Sequence, residues 1–98
     1  MVEMKKHIEI MIDEKVNNHL NLRESAKEFF RELDYELNTT PGENIEDVII
    51  NFENVVFISQ SFAHEYIKQK NKICKNIIEK GVPKKIRAIF ENVSKHND

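Results

Sequence analysis

The hydrophobic positions near the N-terminus change from strand-like to helix-like spacing. Ile8, Ile10 and Ile12 recur at every second position, which predicts a half-buried strand. Farther along, apolar residues recur at helical spacing and predict an amphipathic helix, with Asn21 as its N-terminal cap. The apolar stripe of this helix consists of Leu22, Ala26, Phe29, Phe30, Leu33 and Leu37. A strand followed by such a helix is the first half of a β-α-β unit.

A proline–glycine pair separates this helix from the next apolar segment. Pro41 cannot continue a helix, and Gly42 supplies a turn. Residues 48–58 are mostly β-branched or aromatic, and apolar side chains fall on both sides of the run, which predicts a central strand covered on both faces. Glu53 and Asn54 interrupt this run, so we expect a bend there.

The C-terminal third predicts a second helix and a third strand. Apolar residues over 61–80 form a wide stripe at helical spacing, in which Cys74 is interpreted as a small core residue. The Gly-Val-Pro step that follows would end the helix. Residues 86–93 are then interpreted as a strand, and residues 94–98 as a polar tail.

The order of these elements determines the expected fold class. Two helices connect three strands, and connections of that length imply parallel pairing with right-handed crossovers. The sequence therefore predicts one α/β domain over residues 1–98, a small layer of three to four mostly parallel strands with helices on one face. Residues 1–21 would supply the N-terminal strand and a loop.

Composition excludes several classes of protein. The 98 residues include 15 Lys and Arg against 17 Asp and Glu, and 40% of them are hydrophobic. These values exclude a disordered acidic tail, a collagen-like fibre and a transmembrane segment. Cys74 is the one cysteine, so an internal disulfide is impossible, which favours a reducing compartment. With no signal-peptide pattern at the N-terminus, we expect a cytoplasmic protein.

The small net charge conceals two oppositely charged segments. Residues 21–54 contain nine acids and three bases, a balance of −6, whereas residues 66–87 contain eight bases and one acid, a balance of +7. Such asymmetry can indicate a polyanion-binding face, but it is more often produced by two solvated helix faces of opposite sign.

The motifs of common enzymes and metal sites are missing from the sequence. His64-Glu65 would need a second histidine at position 68 to form a zinc motif, and that residue is Lys68. The four histidines have no metal-ligand spacing among themselves or with Cys74. Two glycines are too few for a phosphate-binding or dinucleotide-binding loop. We therefore expect a protein that is not an enzyme, with no catalytic residues, no metal and no cofactor.

One segment carries a family resemblance. Residues 48–66, VIINFENVVFISQSFAHEY, combine a strand, an aromatic-acid turn and a Phe-Ile-Ser step into a helix that starts Ser-Phe-Ala. This arrangement resembles the STAS-like domains of unknown function, which are related to the STAS domains of anti-sigma factor antagonists. The resemblance covers about residues 22–93 and implies the α/β layer described above.

The resemblance also implies a function. In the antagonists, a serine that opens the helix is phosphorylated by a kinase that is itself the anti-sigma factor, and that serine corresponds to Ser61. This implies a regulatory protein-interaction module whose partner is an ATPase of the histidine-kinase type. The other residues of the antagonist motif differ here, because its Asp, first Ser and Gly correspond to Ser59, Gln60 and Phe62. The candidate partner-binding residues are Ser59, Gln60, Ser61, Phe62 and Glu65.

Alternative interpretations stay open. Ser61 is also interpreted as the N-cap of its helix, where a hydroxyl accepts a backbone amide. A small sheet with two open edges favours a homo-oligomeric assembly subunit without a switch, such as a homodimer. The basic segment 66–87 would suit a protein that binds a polyanion or a nucleic acid. Only Tyr66 and Phe90 flank this segment, so few aromatic side chains could stack on bases, and nucleic acid is disfavoured as a partner.

Overall fold

The computed structural model describes residues 6–39 and 45–96. In this part of the chain, three parallel strands form the main sheet. The described elements are β1 (Lys6–Met11), α1 (Ile12–Lys15), β2 (His19–Leu20), α2 (Arg23–Thr39), β3 (Ile45–Asn51), β4 (Phe57–Ile58), α3 (Gln60–Lys70), β5 (Asn76–Lys80) and α4 (Lys84–His96). The order of the main sheet is β1-β3-β5, and the short strands β2 and β4 pair in parallel with each other. The predicted α/β class with mostly parallel strands is confirmed.

The core lies on one face of the main sheet. Ile10, Val48 and Ile50 point into it, and the register places Ile10 opposite Ile50 and Val48 opposite Ile77. Apolar side chains of α2, α3 and α4 complete the same buried cluster. The remaining side chains of the central strand alternate to the other face, where Ile49 is half-buried. The main sheet thus has one covered face and one face that the described elements leave partly open.

The predicted strand over residues 48–58 is wrong as a single element, although the expected bend is present. β3 ends at Asn51, a turn follows at Glu53 and Asn54, and β4 pairs with β2 rather than within the main sheet. The Asn51 side-chain carbonyl accepts a hydrogen bond from the Glu53 amide at 2.8 Å. Because this local bond turns the backbone away from the ladder, the apolar run continues in a second sheet.

The predicted helix over residues 61–80 is also wrong in its second half. α3 ends at Lys70, and residues 76–80 form β5. Ile77 and Ile78 pair with Val48 and Ile49 of the central strand. Their spacing suited a helix, but parallel pairing with β3 outweighs that local preference, as β-branched residues favour strands. Cys74, predicted to be a core residue, is instead exposed in the connection between α3 and β5.

Residues 86–93, predicted to be a strand parallel to the central one, belong to α4. Ile86, Ile89, Phe90 and Val93 recur at helical spacing, and Ile86 and Val93 are buried in the core. The strand that pairs with β3 on the side opposite β1 is therefore β5. Residues 94–96, predicted to belong to a polar tail, form the end of α4, and the remaining two residues of that predicted tail lie outside the described residues.

A glycine ends β5 where the chain must turn tightly. Gly81 has a φ of 64°, and a Cβ atom at this position would lie 3.3 Å from the Asn51 side-chain oxygen and 3.3 Å from Glu53 Cβ. A side chain here would meet both a strained backbone conformation and a crowded space. The Phe52 amide donates to the Lys80 carbonyl at 2.9 Å, so the ends of β3 and β5 are joined here.

The start and the end of α2 were both predicted from the sequence. The helix begins at Arg23, one residue later than an Asn21 cap requires, and Leu22 is 66% exposed, so the buried stripe starts at Ala26. The predicted stop at Pro41 and Gly42 lies outside the described residues.

Candidate functional site

The first turn of α3 is held by Ser59 rather than by Ser61. Ser59 has an extended backbone, and its hydroxyl accepts a hydrogen bond from the Phe62 amide at 3.0 Å. The same hydroxyl donates to the Asn21 carbonyl at 2.7 Å, and the Ser59 amide donates to the Leu20 carbonyl at 2.8 Å. Ser59 is therefore the N-cap, and it also joins α3 to the end of β2. The interpretation of Ser61 as the cap is wrong.

Gln60 and Ser61 form the exposed part of this turn. They are the first and second residues of α3, and both side chains are exposed to solvent. The Ser61 hydroxyl forms no hydrogen bond with the part of the chain that the structure describes. Since Ser59 already satisfies the Phe62 amide, the helix does not depend on the Ser61 side chain for capping.

Phe62 and Glu65 belong to the interior, although they were predicted to contact a partner. Phe62 is fully buried, and its ring stacks on Tyr66 with 6.4 Å between centroids. Glu65 is only 4% exposed. Its carboxylate accepts a hydrogen bond from the side-chain carboxamide of Gln69 at 2.6 Å and lies 3.9 Å from the Arg23 guanidinium. Both side chains therefore hold α3 in place and leave little surface for a partner.

The electrostatics of Glu65 agree with a charged structural role. The Gln69 hydrogen bond lowers the pKa of Glu65, burial opposes this shift, and the nearby Lys68, Lys27 and Arg23 lower it further. The carboxylate is thus ionised at neutral pH and links α3 to the start of α2 through Arg23.

Exposed apolar side chains lie in the segments that lead into α2 and α3, and their exposure was not predicted from the sequence. Val56 is 63% exposed and Phe57 is 43% exposed, both just before the Ser59 cap. Leu22 follows Asn21, the residue whose carbonyl Ser59 contacts. We define the α3-start surface by five exposed residues on these segments: Leu22, Val56, Phe57, Gln60 and Ser61.

The pairing of β2 with β4 explains why Phe57 is exposed. In register, His19 lies opposite Phe57 and Leu20 opposite Ile58. Leu20 and Ile58 point into the core, so His19 and Phe57 point outward, with 6.3 Å between their rings. Neither exposed residue had a signal in the sequence. Phe57 lies in a continuous apolar run, and the spacing of Leu22 fits the α2 stripe.

This surface contains a hydroxyl, a carboxamide and three apolar side chains. Among the residues that the structure describes, neither Ser59 nor Ser61 is hydrogen-bonded to a histidine or a carboxylate. Within the described residues, no group of three or more His, Cys, Asp or Glu side chains is arranged to hold a metal ion.

Comparisons of the chain with protein-family models, with curated proteins and with solved structures found no match. Across residues 6–39 and 45–96, every helix falls short of the length and apolar character that crossing a bilayer demands.

Proposed function

We propose that this chain is a non-enzymatic, regulatory protein-interaction module that binds its partner through the α3-start surface. The observation that carries the proposal is the exposure of three apolar side chains, Leu22, Val56 and Phe57, in the segments that lead into α2 and α3. Apolar side chains that stay exposed in a folded chain are candidates for contact with a protein partner.

Phosphorylation of Ser61 would regulate this binding. Ser61 is the second residue of α3, where a phosphate meets the positive end of the helix, so the fold would tolerate it. The modification would add about −1.5 to −2 charges to the α3-start surface, which would weaken an apolar contact with a partner. The resemblance to STAS-like domains supports this switch and a partner ATPase of the histidine-kinase type, acting in the cytoplasm.

A pull-down from native lysate, with and without ATP, followed by mass spectrometry would identify the partner. The site is then tested with Val56→Ser, which removes an exposed apolar side chain from the surface. We expect the affinity to fall at least about fivefold, since the loss of an apolar contact that matters at an interface costs more than about 1 kcal/mol.

Tyr35→Ser is the matched control, because Tyr35 is a 69% exposed aromatic residue on α2, outside the α3-start surface. We expect this variant to bind the partner like the wild type, and both variants to melt close to it. Equal loss of affinity in the two variants, or no loss in either, would contradict the proposed site.

A second candidate function, a homo-oligomeric subunit without a switch, is favoured by the open face of the main sheet. Ile78 is 43% exposed there, beside the half-buried Ile49, although parallel sheets are usually covered on both faces. A second copy of the chain would cover this apolar strip. Sedimentation would then show a dimer that Ile78→Ser converts to monomer, whereas a wild-type monomer at high concentration would exclude this candidate.

A further inference from the structure

A groove of about 500 Å³ lies between α3, β5 and α4, toward the C-terminal end of α3 and away from Ser61. Its volume is within the range of pockets that hold small organic ligands. Its position separates it from the α3-start surface, so what it binds can be tested independently of the partner proposed above.

The floor of the groove is apolar. The side chains of Ile67, Val82 and Phe90 line it, and each is partly exposed while packed against the core. The Phe90 ring lies 5.2 Å from the buried Tyr66 ring and is held by it. An apolar ligand body placed on this floor would cover hydrophobic surface that water now contacts.

The carboxylate at the edge of this floor is already neutralised. One Glu79 oxygen accepts from the Tyr66 hydroxyl at 2.8 Å, and the other accepts from the Lys70 ammonium at 2.9 Å. Because Lys70 pairs with this charge and each oxygen already accepts a hydrogen bond, Glu79 attracts a cationic ligand less than an unpaired carboxylate would.

The opposite wall carries cations without such partners. Arg87 and Lys95 line the groove from α4, and neither forms an ion pair or side-chain hydrogen bond with the described part of the chain. Glu91 lies between them, so the groove holds three cations, with Lys70, against two carboxylates, a balance of +1. Lys84 and Lys85 at the start of α4 add to the positive potential, which attracts anions.

We propose that this groove binds a small organic anion, a carboxylate on an aromatic or aliphatic body. The body lies on Phe90, Ile67 and Val82, and the carboxylate meets the Arg87 guanidinium. Arginine suits this role because its planar group donates two parallel hydrogen bonds to one carboxylate.

Three probes with the same body and different charges test the ligand class: phenylbutyrate, phenylbutanol and phenylbutylamine. Each is titrated into the full chain while backbone amide signals are followed by NMR. We expect phenylbutyrate to shift amides in residues 66–70, 79–82 and 87–95, and to bind about tenfold more tightly than phenylbutanol, the factor that one charged hydrogen bond of about 1.4 kcal/mol provides. Phenylbutylamine should bind more weakly than both.

Two variants that remove the same charge from the same helix test the assigned cation. Arg87→Gln should weaken phenylbutyrate about tenfold and leave phenylbutanol unchanged. Lys85→Gln removes an exposed cation that does not line the groove, so the affinity should stay within about twofold of the wild type. Thermal melts of both variants should match the wild type, because both side chains are exposed.

Several results would overturn the proposal. Phenylbutanol binding as tightly as phenylbutyrate would refute selection for an anion, and equal weakening by Arg87→Gln and Lys85→Gln would refute the role of Arg87. Amide shifts confined to the α3-start surface, or no shift with any probe at its solubility limit, would show that the groove is not the site.

Discussion

At its start, α3 is held by the neutral Ser59 hydroxyl and borders exposed apolar side chains, whereas its end lies beside the charged Lys70–Glu79 pair. The two ends also differ in whether stability and binding depend on the same residues. At the start, Ser59 caps the helix and Ser61 is the exposed serine, so a substitution can change stability or binding separately. At the end, Tyr66 and Glu79 both support the core and form the groove wall, so one substitution there changes both.

The largest effect should distinguish buried from exposed aromatics near the start of α3. Phe62→Ala should lower the free energy of unfolding by about 3–5 kcal/mol, because it leaves a cavity in the core. Phe57→Ala, at a 43% exposed position, should cost less than about 1 kcal/mol. Urea denaturation measures both. Similar costs for the two variants would mean that Phe57 is as firmly packed as Phe62.

The next effect concerns the charged end and depends on pH. Tyr66→Phe should cost about 1–3 kcal/mol at neutral pH, because Glu79 loses a hydrogen-bond donor. Burial, and then the Glu79 carboxylate, raise the pKa of Tyr66 well above its ordinary value of 10.0. The unfolded chain therefore ionises first, so this stabilisation is complete below pH 10.0 and decreases as the pH rises above it.

The measurement is the free energy of unfolding from neutral pH to above the ordinary tyrosine pKa. The gap between wild type and Tyr66→Phe should narrow as the pH rises, because the variant lacks the group that titrates. Tyr35→Phe, at an exposed position, is the control for general alkaline effects and should follow the wild type. A gap that stays constant with pH would contradict the raised pKa of Tyr66.

A smaller effect separates the two serines. Ser59→Ala should destabilise the fold by about 1 kcal/mol, because it removes the cap of α3 and the contact with Asn21. Ser61→Ala should change stability by less than about 0.5 kcal/mol, since its hydroxyl is exposed and does not cap the helix. Thermal melts compare them. If Ser61→Ala were the more damaging change, the assignment of the cap would be wrong.

The smallest effect on stability belongs to Ser61→Asp. An acid at the second position of α3 should leave the fold unchanged or stabilise it by about 0.3–1 kcal/mol. Titration calorimetry with the identified partner should show weaker binding, because the charge lies in the α3-start surface. An unchanged affinity would contradict regulation by phosphorylation of Ser61. The binding site itself would still be tested by Val56→Ser.

The α/β class could be predicted from the sequence because strand and helix spacing are clear over residues 8–12 and 26–33. The C-terminal elements could not, because Ile77 and Ile78 become a strand only through pairing with β3. Whether such a segment forms a strand or a helix depends on a partner strand that is distant in the chain, and the local spacing of apolar residues contains no information about that partner.

The candidate site stays a prediction, and the structure shows only which of its residues are exposed. The resemblance pointed to residues 59–65, and the structure places two of the five candidates, Gln60 and Ser61, on the exposed first turn of α3. Local spacing could not tell which serine caps the helix, since Ser59 and Ser61 are only two residues apart and both lie just before the apolar pair Phe62-Ala63. Leu22 and Val56 escaped notice because an exposed apolar residue looks like a core residue until the fold is known.

The order of strands in the main sheet bears on how the chain is made on the ribosome. Because β1, β3 and β5 lie side by side in the order of translation, each new strand adds to an edge that is still free. No strand has to enter between two that are already paired. The emerging chain can thus build its sheet outward from the N-terminal strand, with the last helix closing over the core.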